Sequence, residues 1–309
     1  MARPKIWIVT NGRRGDIVQC EAIGHRIGDI IRKIELAPRA PYSWFMPWGP
    51  CDPAELDKFK PPLPDLIIAS GRRAVPYVRK LARASTIAPR AIFMKYPGYD
   101  VSRFAIAWHP VHDRRPGRHV IETLTTPHLM IPERIEDERK SPDPRCVALP
   151  SPRLGILLGG NSGKVVYDAA TIKAFCEPLR RLDHFASVCV TGSRRTPPEL
   201  LDTIRKTLTN PHFIWDGNGP NPYSAIVSLS DALLVTGDSH NMVSEALAAG
   251  RKTYVFLPPD LPAKFSSTLN ALAAENALVL DHNSMQPGTQ SPIDATAEIA
   301  DRAVKMLSL

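Results

Sequence analysis

The sequence lacks the marks of several large protein classes. It has no apolar run near the roughly 20 residues that a membrane-spanning helix needs, and no signal-peptide segment precedes the strand-like run at residues 6–9. Its cysteines are odd in number and form no Cys-x-x-Cys pair, which argues against a structural zinc site and for a reducing compartment. No Gly-x-Ser-x-Gly elbow or catalytic-cysteine motif occurs, so the common hydrolase classes are excluded. We expect a cytoplasmic protein.

Two familiar nucleotide fingerprints and a metal site are also missing. The turn Gly12–Gly15 has the spacing G-x-x-G instead of the dinucleotide pattern G-x-G-x-x-G. The turn that begins at Gly159 departs from a phosphate-binding P-loop at Leu158 and Val165. The run His109–Asp113 contains two histidines, but a proline interrupts them and no further ligand cluster supports them. We therefore expect neither a bound metal nor a tightly held cofactor.

The composition is that of a soluble globular protein with room for two domains. The chain has 309 residues, of which 43% are hydrophobic and 23% charged. Residues 1–150 carry 25 Lys and Arg against 16 Asp and Glu, whereas residues 151–309 carry 14 against 15. The basic first half favours an anionic partner: an acidic membrane surface, a phosphorylated acceptor or nucleic acid. A solvated basic surface with no dedicated partner is the alternative. Nucleic acid is the weakest choice, because no aromatic-and-basic recognition motif accompanies the charge.

Strand and helix patterns alternate along both halves of the chain. This order predicts an α/β fold with two Rossmann-like domains built on parallel sheets, facing across a cleft. We place the domains at residues 1–145 and 152–309, with the terminal helix at 295–307 open to packing back on the first domain. Helical spacing continues from Ile17 to Ile31. Residues 38–64 hold eight prolines and are predicted to be a long loop, and the charged segment 132–152 is predicted to be the linker.

The most informative stretch is residues 221–250. An apolar strand at 232–235 runs into a small polar turn, and a helix follows that ends before Gly250. Ser239 or Asn241 can cap this helix, and such a helix start attracts phosphate. Glu245 lies about one turn inside, where its carboxylate could accept hydrogen bonds from a ribose diol. The alternative is an ordinary strand-turn-helix with a surface glutamate.

Other turns at strand ends suggest further contacts with a phosphorylated ligand. The Gly-rich turn 159–163 suits close backbone approach to phosphate, and Lys164 could add a charge. Arg194 and Arg195 follow another strand and could grip diphosphate oxygens through their fork geometry, or could simply be solvated. Asp16 begins a helix and is either a cap-region carboxylate, which we favour slightly, or a general base.

Five blocks of residues along the chain resemble the mitochondrial-fission ELM (elongated mitochondria) family in a bacterial form. The resemblance covers nearly the whole chain. Its most specific part is Asn221-Pro222-Tyr223, followed by Asp238-Ser239 and residues 242–246. The other blocks are Gly12-Arg13-Arg14-Gly15 with Gln19, Val111-His112-Asp113, Leu158-Gly159-Gly160, and Ser193-Arg194-Arg195-Thr196-Pro197.

The family is similar to GT-B glycosyltransferases, which implies a nucleotide-sugar donor in the second domain and an acceptor in the first. By this resemblance Glu245 would bind the ribose. The residues implied near the nucleotide sugar are Gly160, Asn161, Ser162, Ser193, Arg194, Arg195, Asp238, Ser239, His240 and Asn241. Those implied on the acceptor side are Gly12, Arg13, Arg14, Gly15, Gln19, His112 and Asp113.

The sequence departs from the family pattern in two places. Asp16 stands where a histidine is expected in many relatives, which leaves the catalytic base open. His240-Asn241 stands where relatives more often have small residues, which could alter the donor pocket.

These observations favour a metal-independent GT-B-type glycosyltransferase in which Asp16 deprotonates the acceptor hydroxyl. Trp44, Phe45 and Trp48 in the proline-rich loop could reach an anionic membrane that carries the acceptor, although the same residues could equally cover the core. Two alternatives stay open. One is a nucleotide-sugar 2-epimerase of the same fold, with Asp16, Asp113 and Asp238 as the carboxylates to consider. The other is a non-catalytic adaptor.

Overall fold

A computed structural model describes residues 3–84, 89–113, 117–163 and 165–309. The chain forms two compact units: unit 1 comprises Met1–Leu129 and Ala295–Leu309, and unit 2 comprises Met130–Asp294. Both are α/β units with parallel sheets, as the alternating pattern predicts. The boundary between the domains differs from the expected one, since residues 130–145 belong to unit 2. The C-terminal helix belongs to unit 1, a packing that the sequence left open.

Unit 1 is built on a six-stranded parallel sheet in the order β2-β1-β3-β4-β5-β6. Its central strands are almost fully buried, and alternate residues face opposite layers. Ile6 and Ile8 pack against one helical layer, and Trp7 and Val9 pack against the other side. The strands are β1 Lys5–Thr10, β2 Asp29–Glu35, β3 Leu66–Ser70, β4 Arg90–Met94, β5 Ile106–Pro110 and β6 Val120–Thr123.

The first helix is shorter than its sequence pattern predicts. Helix α1 (Arg14–Ile27) ends at Gly28, which is extended, and the chain then enters β2. A Cβ at Gly28 would lie 2.1 Å from the carbonyl oxygen of Pro4, so this glycine lets the chain turn closely against the start of β1. Ile30 and Ile31, expected on the helix, therefore belong to a strand.

The proline-rich segment 38–64 packs on one face of the first sheet through its buried residues Met46 and Phe59. It contains two 3-10 helices, Tyr42–Trp44 and Pro53–Phe59, so the expectation of a segment without regular elements is corrected. Phe59 stacks on Tyr77 of α2 (Val75–Ala84), with ring centroids 5.1 Å apart. Asp52 is fully buried and paired with Arg39 at 2.8 Å, and this guanidinium holds the pKa of the Asp52 carboxyl well below its usual range.

The tip of the same segment is exposed instead of packed. Trp44, Phe45 and Trp48 are 73%, 59% and 69% exposed. Large apolar side chains are normally buried, so three exposed aromatic residues within five positions are a notable surface feature. We call these three residues the aromatic tip. The alternative in which they cover the core is wrong for their side chains, although it holds for Met46 between them, which is buried.

Unit 2 is built on a five-stranded parallel sheet in the order β11-β10-β7-β8-β9. Its strands are β7 Arg153–Leu158, β8 Ser187–Gly192, β9 His212–Ile214, β10 Ala232–Thr236 and β11 Lys252–Phe256. Its helices are α3 Pro132–Lys140, α4 Pro144–Val147, α5 Ala169–Cys176, α6 Pro198–Thr207, α7 Tyr223–Leu229, α8 His240–Ala248 and α9 Ala263–Ala274.

The segment expected to be a linker is part of unit 2. Proline stands at the start of both α3 and α4, where its missing N–H costs no helical hydrogen bond. Ile135 is buried, and Glu138 accepts a hydrogen bond from the Ser224 hydroxyl on α7. Arg139 Nε also donates to the carbonyl oxygen of Ser228 at 3.3 Å. The charged residues therefore hold α3 against α7.

The C-terminal helix α10 (Ala295–Leu307) packs on the first sheet. Its buried face contains Ala295, Ile299, Ala300 and Ala303, which lie in the cluster formed by α1 and the strands. The Thr296 hydroxyl donates to the carbonyl oxygen of His128 at 3.1 Å. No helix in the described ranges is both long enough and apolar enough to cross a membrane.

Candidate functional site

Three turns converge at the C-terminal edge of the sheet in unit 2. Because β7 lies between β8 and β10, the turns that leave these three strands are neighbours. Such an edge is the usual ligand site of an open α/β sheet. The structure therefore brings the predicted residues of these turns to one edge: Gly160, Asn161, Ser162, Ser193, Arg194, Arg195, Asp238, Ser239, His240 and Asn241. Lys164 lies outside the described residues.

Asp238 stands at the centre of this edge. Its Oδ2 accepts from the backbone N–H of Gly160 at 2.9 Å, and its Oδ1 accepts from the Tyr167 hydroxyl at 2.8 Å. Arg195 Nη2 lies 3.3 Å from Oδ2. The Asp238 side chain is only 1% exposed, so a buried charge is held by three donors. Burial and then the charge of Asp238 raise the pKa of Tyr167 far above its usual range.

The backbone N–H groups of the Gly-rich turn are used within unit 2. Four successive residues donate internally, so these groups reach a phosphate only if the turn rearranges. The prediction that Gly160, Asn161 and Ser162 surround a diphosphate thus stays a prediction. The bonds are Gly159 N to Thr236 Oγ1 at 2.7 Å, Gly160 N to Asp238, Asn161 N to Arg195 O at 3.0 Å, and Ser162 N to Val165 O at 3.0 Å.

Packing accounts for the two glycines of this turn. Gly160 has a φ of +142°, and a Cβ there would lie 2.1 Å from the carbonyl oxygen of Arg195. A Cβ at Gly159 would lie 2.2 Å from the carboxylate of Asp238. The turns after β7, β8 and β10 can approach each other only if both positions lack a side chain.

The turn after β8 divides its polar groups between internal and exposed positions. Ser193 Oγ donates to the Gly159 carbonyl at 2.5 Å, and Arg195 donates to the Gly160 carbonyl at 3.3 Å as well as to Asp238. Arg194 is exposed and forms no ion pair with any described residue. Of the two predicted arginines, Arg194 is therefore the one with a guanidinium open to a ligand.

Helix α8 begins at the same edge without a side-chain cap. Ser239 occupies the cap position, but its hydroxyl makes no capping hydrogen bond. His240 stacks on Phe265, with ring centroids 6.1 Å apart, and Asn241 is exposed. Gly250 has a φ of +66°, which confirms the predicted left-handed position after the helix.

Glu245 faces Tyr223 across the start of α7. Glu245 Oε2 accepts the Tyr223 hydroxyl, and the Asn221 side chain in turn accepts the Tyr223 backbone N–H at 3.0 Å. Burial raises the pKa of Glu245 to about 7. The hydrogen bond from Tyr223 and the charge of Arg134 act in the opposite direction, but they are smaller effects. Tyr223 is the described residue that donates a hydrogen bond to this carboxyl group, and it does so at Oε2.

The acceptor-side residues lie in unit 1 and divide into two groups. Gly12, Arg13, Arg14, Gly15 and Asp16 form the turn after β1 and the first turn of α1, where Lys95 Nζ lies 3.3 Å from Asp16 Oδ1. Gln19, on the same helix, is 1% exposed, and its place on the acceptor side stays a prediction.

His112 and Asp113 form a separate pair after β5. The His112 ring lies 3.8 Å from the Asp113 carboxylate, and His109 is buried nearby on β5 with its ring 3.8 Å from Glu122. Strands β3 and β4 separate β5 from β1, which puts these residues about 14 Å along the sheet from Asp16. The structure does not bring the two acceptor-side groups together. No group of three or more potential ligands in the described ranges could hold a metal ion.

Sequence reasoning overlooked three cations beside Asp16. Arg72 and Arg73 follow β3, and Lys95 follows β4, so all three share a cavity with Arg13. All three lie directly after strands, and in a parallel sheet such residues meet at the ligand-binding edge, so the sequence contained the signal that could have identified them. Tyr167 was overlooked because nothing local links it to Asp238, 71 residues away.

Comparisons with solved structures identify the overall architecture. MurG of Acinetobacter baumannii is 13% identical, with a TM-score of 0.55, and the match covers 98% of this chain and 99% of that protein. The UDP-GlcNAc 2-epimerase of Neisseria meningitidis, bound to UDP-GlcNAc, is 12% identical, with a TM-score of 0.53 over 98% of this chain and 99% of that one. At such identities the likeness shows the fold alone, which is GT-B-like.

Two curated proteins are similar in sequence. The mitochondrial fission protein ELM1 of Arabidopsis thaliana is 25% identical over 275 residues, which is 79% of this chain and 64% of the plant protein. The match thus spans less than two thirds of that relative. The uncharacterized protein RP120 of Rickettsia prowazekii (strain Madrid E) is 25% identical over 111 residues, 34% of this chain and 31% of that protein. The model of the mitochondrial fission ELM1 family matches residues 14–307, and the chain belongs to that family.

Proposed function

We propose that the protein is a metal-independent glycosyltransferase that moves a sugar from a nucleotide-diphosphate sugar to an acceptor hydroxyl. The observation that carries this proposal is Glu245 on α8, a partly buried carboxyl group whose Oε2 is held by Tyr223. A fixed acceptor oxygen one turn inside the helix that follows β10 suits the hydroxyl groups of a ribose. The GT-B-like fold supports the same assignment, since solved neighbours of this fold include a protein bound to UDP-GlcNAc.

In the proposed reaction the acceptor oxygen attacks the anomeric carbon while the bond from that carbon to the diphosphate breaks. Asp16 takes the proton of the acceptor hydroxyl. Charge that develops on the leaving diphosphate is stabilised by the start of α8 and by the exposed guanidinium of Arg194. In this assignment Asp238 and Arg195 shape the turn and do not contact the ligand, because they already bond each other and Gly160.

Nucleotide binding to the Glu245→Gln variant tests the donor site. The full chain is heated with UDP, GDP or CMP and with their sugar conjugates, and the melting temperature is recorded. A ligand at 100 times its Kd stabilises the native state by roughly 2.7 kcal/mol. We expect one nucleotide diphosphate to stabilise the protein, and Glu245→Gln to weaken that binding about tenfold or more.

The control is Glu275→Gln, an exposed glutamate at the end of α9 in the same unit. It removes the same charge and should leave nucleotide binding unchanged. Equal affinities in the two variants would overturn the assignment of Glu245 to the ribose. Turnover assays with the donor so identified, on Asp16→Asn, then test transfer itself.

A non-catalytic adaptor is the second candidate, and one observation favours it. The four N–H groups of the Gly-rich turn are bonded inside unit 2, with the Asp238 carboxylate on Gly160. A turn closed in this way can be a purely structural element. If no nucleotide stabilises the protein at millimolar concentration, the adaptor becomes the preferred function.

We also propose an anionic membrane as a partner of unit 1, through the aromatic tip. Arg79 donates to the carbonyl oxygens of Trp48 and Gly49, each at 3.1 Å, and so holds the tip beside α2. Lys80 and Arg83 of α2 line a cavity together with Gly49 and Arg79. Exposed tryptophans beside basic residues suit the interface of a bilayer with anionic lipids.

A further inference from the structure

A polar cavity of about 610 Å³ lies at the C-terminal edge of the sheet in unit 1. It is formed by the turns that leave β1, β3 and β4, which are neighbours because β3 lies between the other two strands. Each turn contributes at least one cation: Arg13 after β1, Arg72 and Arg73 after β3, and Lys95 after β4. A volume of this size suits a small-molecule ligand.

The charges in this cavity are unbalanced. Asp16 is the one carboxylate in its lining, and it already lies 3.3 Å from Lys95 Nζ. The guanidinium groups of Arg13, Arg72 and Arg73 form no ion pair or hydrogen bond with any other residue that the structure describes. Like charges held together without a counter-charge repel each other, and an anion placed among them removes that repulsion. Arginine forks also match the oxygen geometry of phosphate.

The backbone at the cavity wall supports the same conclusion. Lys95 has a φ of +68°, a left-handed conformation that costs a side-chain-bearing residue about 1 to 2 kcal/mol. Its N–H donates to the carbonyl oxygen of Trp108 on β5 at 2.6 Å, which fixes the chain in this conformation. Gly71, with a φ of +83°, allows the turn before Arg72 to bend back. A lysine in the left-handed region at a cavity wall is the kind of stored strain that is found at binding sites.

We infer that this cavity binds a phosphate group, either a phosphomonoester or a diphosphate, between the guanidinium groups of Arg13, Arg72 and Arg73. The bound molecule is the acceptor if the proposed transfer is correct, but the site itself does not depend on that reaction. A phosphate in this position is either part of a soluble molecule or the headgroup of a lipid.

Titration with inorganic pyrophosphate tests the site. Binding to the full chain is measured by calorimetry at constant ionic strength, for the unmodified protein, for Arg72→Gln/Arg73→Gln and for a control. The control, Arg26→Gln/Arg90→Gln, removes two exposed arginines of unit 1 that lie outside the cavity. We expect the cavity variant to bind at least tenfold more weakly and the control to stay within about twofold of the unmodified protein. Equal weakening in both variants, or no binding at millimolar pyrophosphate, would overturn the inference.

Asp16→Asn separates this inference from the proposed function. The change removes the one negative charge in the cavity lining and releases Lys95. Pyrophosphate should therefore bind several-fold more tightly, which is a gain of about 0.5 to 1 kcal/mol in binding free energy. The same change should abolish transfer if Asp16 is the base. Tighter binding supports the phosphate site whether or not transfer is ever detected, and weaker binding contradicts it.

Vesicles distinguish the two sources of phosphate. Phosphatidylcholine vesicles with phosphatidate, which carries a phosphomonoester, are compared with phosphatidylcholine vesicles with phosphatidylglycerol at the same surface charge. A preference for phosphatidate that Arg72→Gln/Arg73→Gln removes assigns the site to a lipid headgroup. The absence of that preference, with pyrophosphate binding still lost in the variant, assigns it to a soluble phosphorylated molecule.

Discussion

At the scale of single residues, folding changes the ionisation of Glu245. Burial raises the pKa of its carboxyl group from 4.5 to about 7. Between these values the folded state keeps a proton that the unfolded state releases, so the free energy of unfolding falls as pH rises from 4.5 to 7. Glu245→Gln removes this group. We expect the variant to gain stability relative to the unmodified protein, by about 2 to 3 kcal/mol, between pH 5 and pH 8.

Urea unfolding at pH 5 and pH 8 measures this effect, since the difference between the two proteins cancels the other titrating groups. Glu275→Gln, at an exposed position, serves as the matched control and should show no such change with pH. A stability difference between Glu245→Gln and the unmodified protein that is the same at both pH values would contradict the raised pKa.

The residues of the candidate site differ in how far the sequence could place them. Ser239 lies in the turn after β10, and Glu245 lies in the helix that follows this turn. Parallel strands bring such turns to one edge, so the location of both residues was predictable. The role of Asp238 was not, because its partners Gly160 and Tyr167 are 78 and 71 residues away in the chain. Only the assembled sheet shows that this carboxylate bonds the Gly-rich turn.

At the scale of elements, the aromatic tip makes membrane binding testable. Trp44→Ala/Trp48→Ala removes two side chains that are 73% and 69% exposed, so stability should change by less than about 0.5 kcal/mol per site. We expect binding to vesicles that contain phosphatidylglycerol to weaken about fivefold or more, since interfacial tryptophans are lost. Co-sedimentation with the vesicles measures it.

The control for this prediction is Ile31→Ala, an exposed apolar residue on β2 that lies outside the tip. It should bind vesicles as the unmodified protein does. If the tryptophan variant binds equally well, unit 1 does not use this segment at a membrane.

The sequence predicts an element well where a buried apolar run defines it, and poorly where a single tertiary contact sets its boundary. The central strands β1 and β10 are apolar runs that end in turns, and the sequence located both. Strand β2 was assigned to the preceding helix because Ile27, Ile30 and Ile31 continue the helical spacing, and the close contact of Gly28 with Pro4 has no local signal. Helix α3 was predicted as linker because Ile135 is its one buried residue.

At the scale of the whole molecule, part of the basic excess of residues 1–150 lies at two places in unit 1. Arg72, Arg73 and Lys95 line one cavity, and Arg79 and Arg83 line another cavity with Trp48 of the aromatic tip. Tyr96 and Gly98 line both cavities. The proposed phosphate site and the aromatic tip lie on one unit, which fits the proposal of a single anionic lipid ligand. The two sets of vesicle experiments test the site and the tip separately.

Unit 1 also depends on both ends of the chain. Ile299 on α10 is fully buried against Ile23 and the strands of the first sheet, although nearly 300 residues separate it from β1. Ile299→Ala should lower the free energy of unfolding by about 2 to 5 kcal/mol, because it leaves a cavity in a packed core. Native-state hydrogen exchange should show the loss as faster exchange of amides in β1 and β3.

Met306→Ala, on the same helix but at a position that is 38% exposed, removes a comparable side chain and should cost far less. If both variants lose the same stability, the helix contributes through its presence and not through its buried face. If Ile299→Ala neither lowers the free energy of unfolding nor speeds amide exchange in β1 and β3, the buried face of α10 does not stabilise unit 1. The predicted difference follows from position alone. Truncating a fully buried side chain removes packing contacts and leaves a cavity, whereas truncating an exposed side chain leaves a surface that water fills.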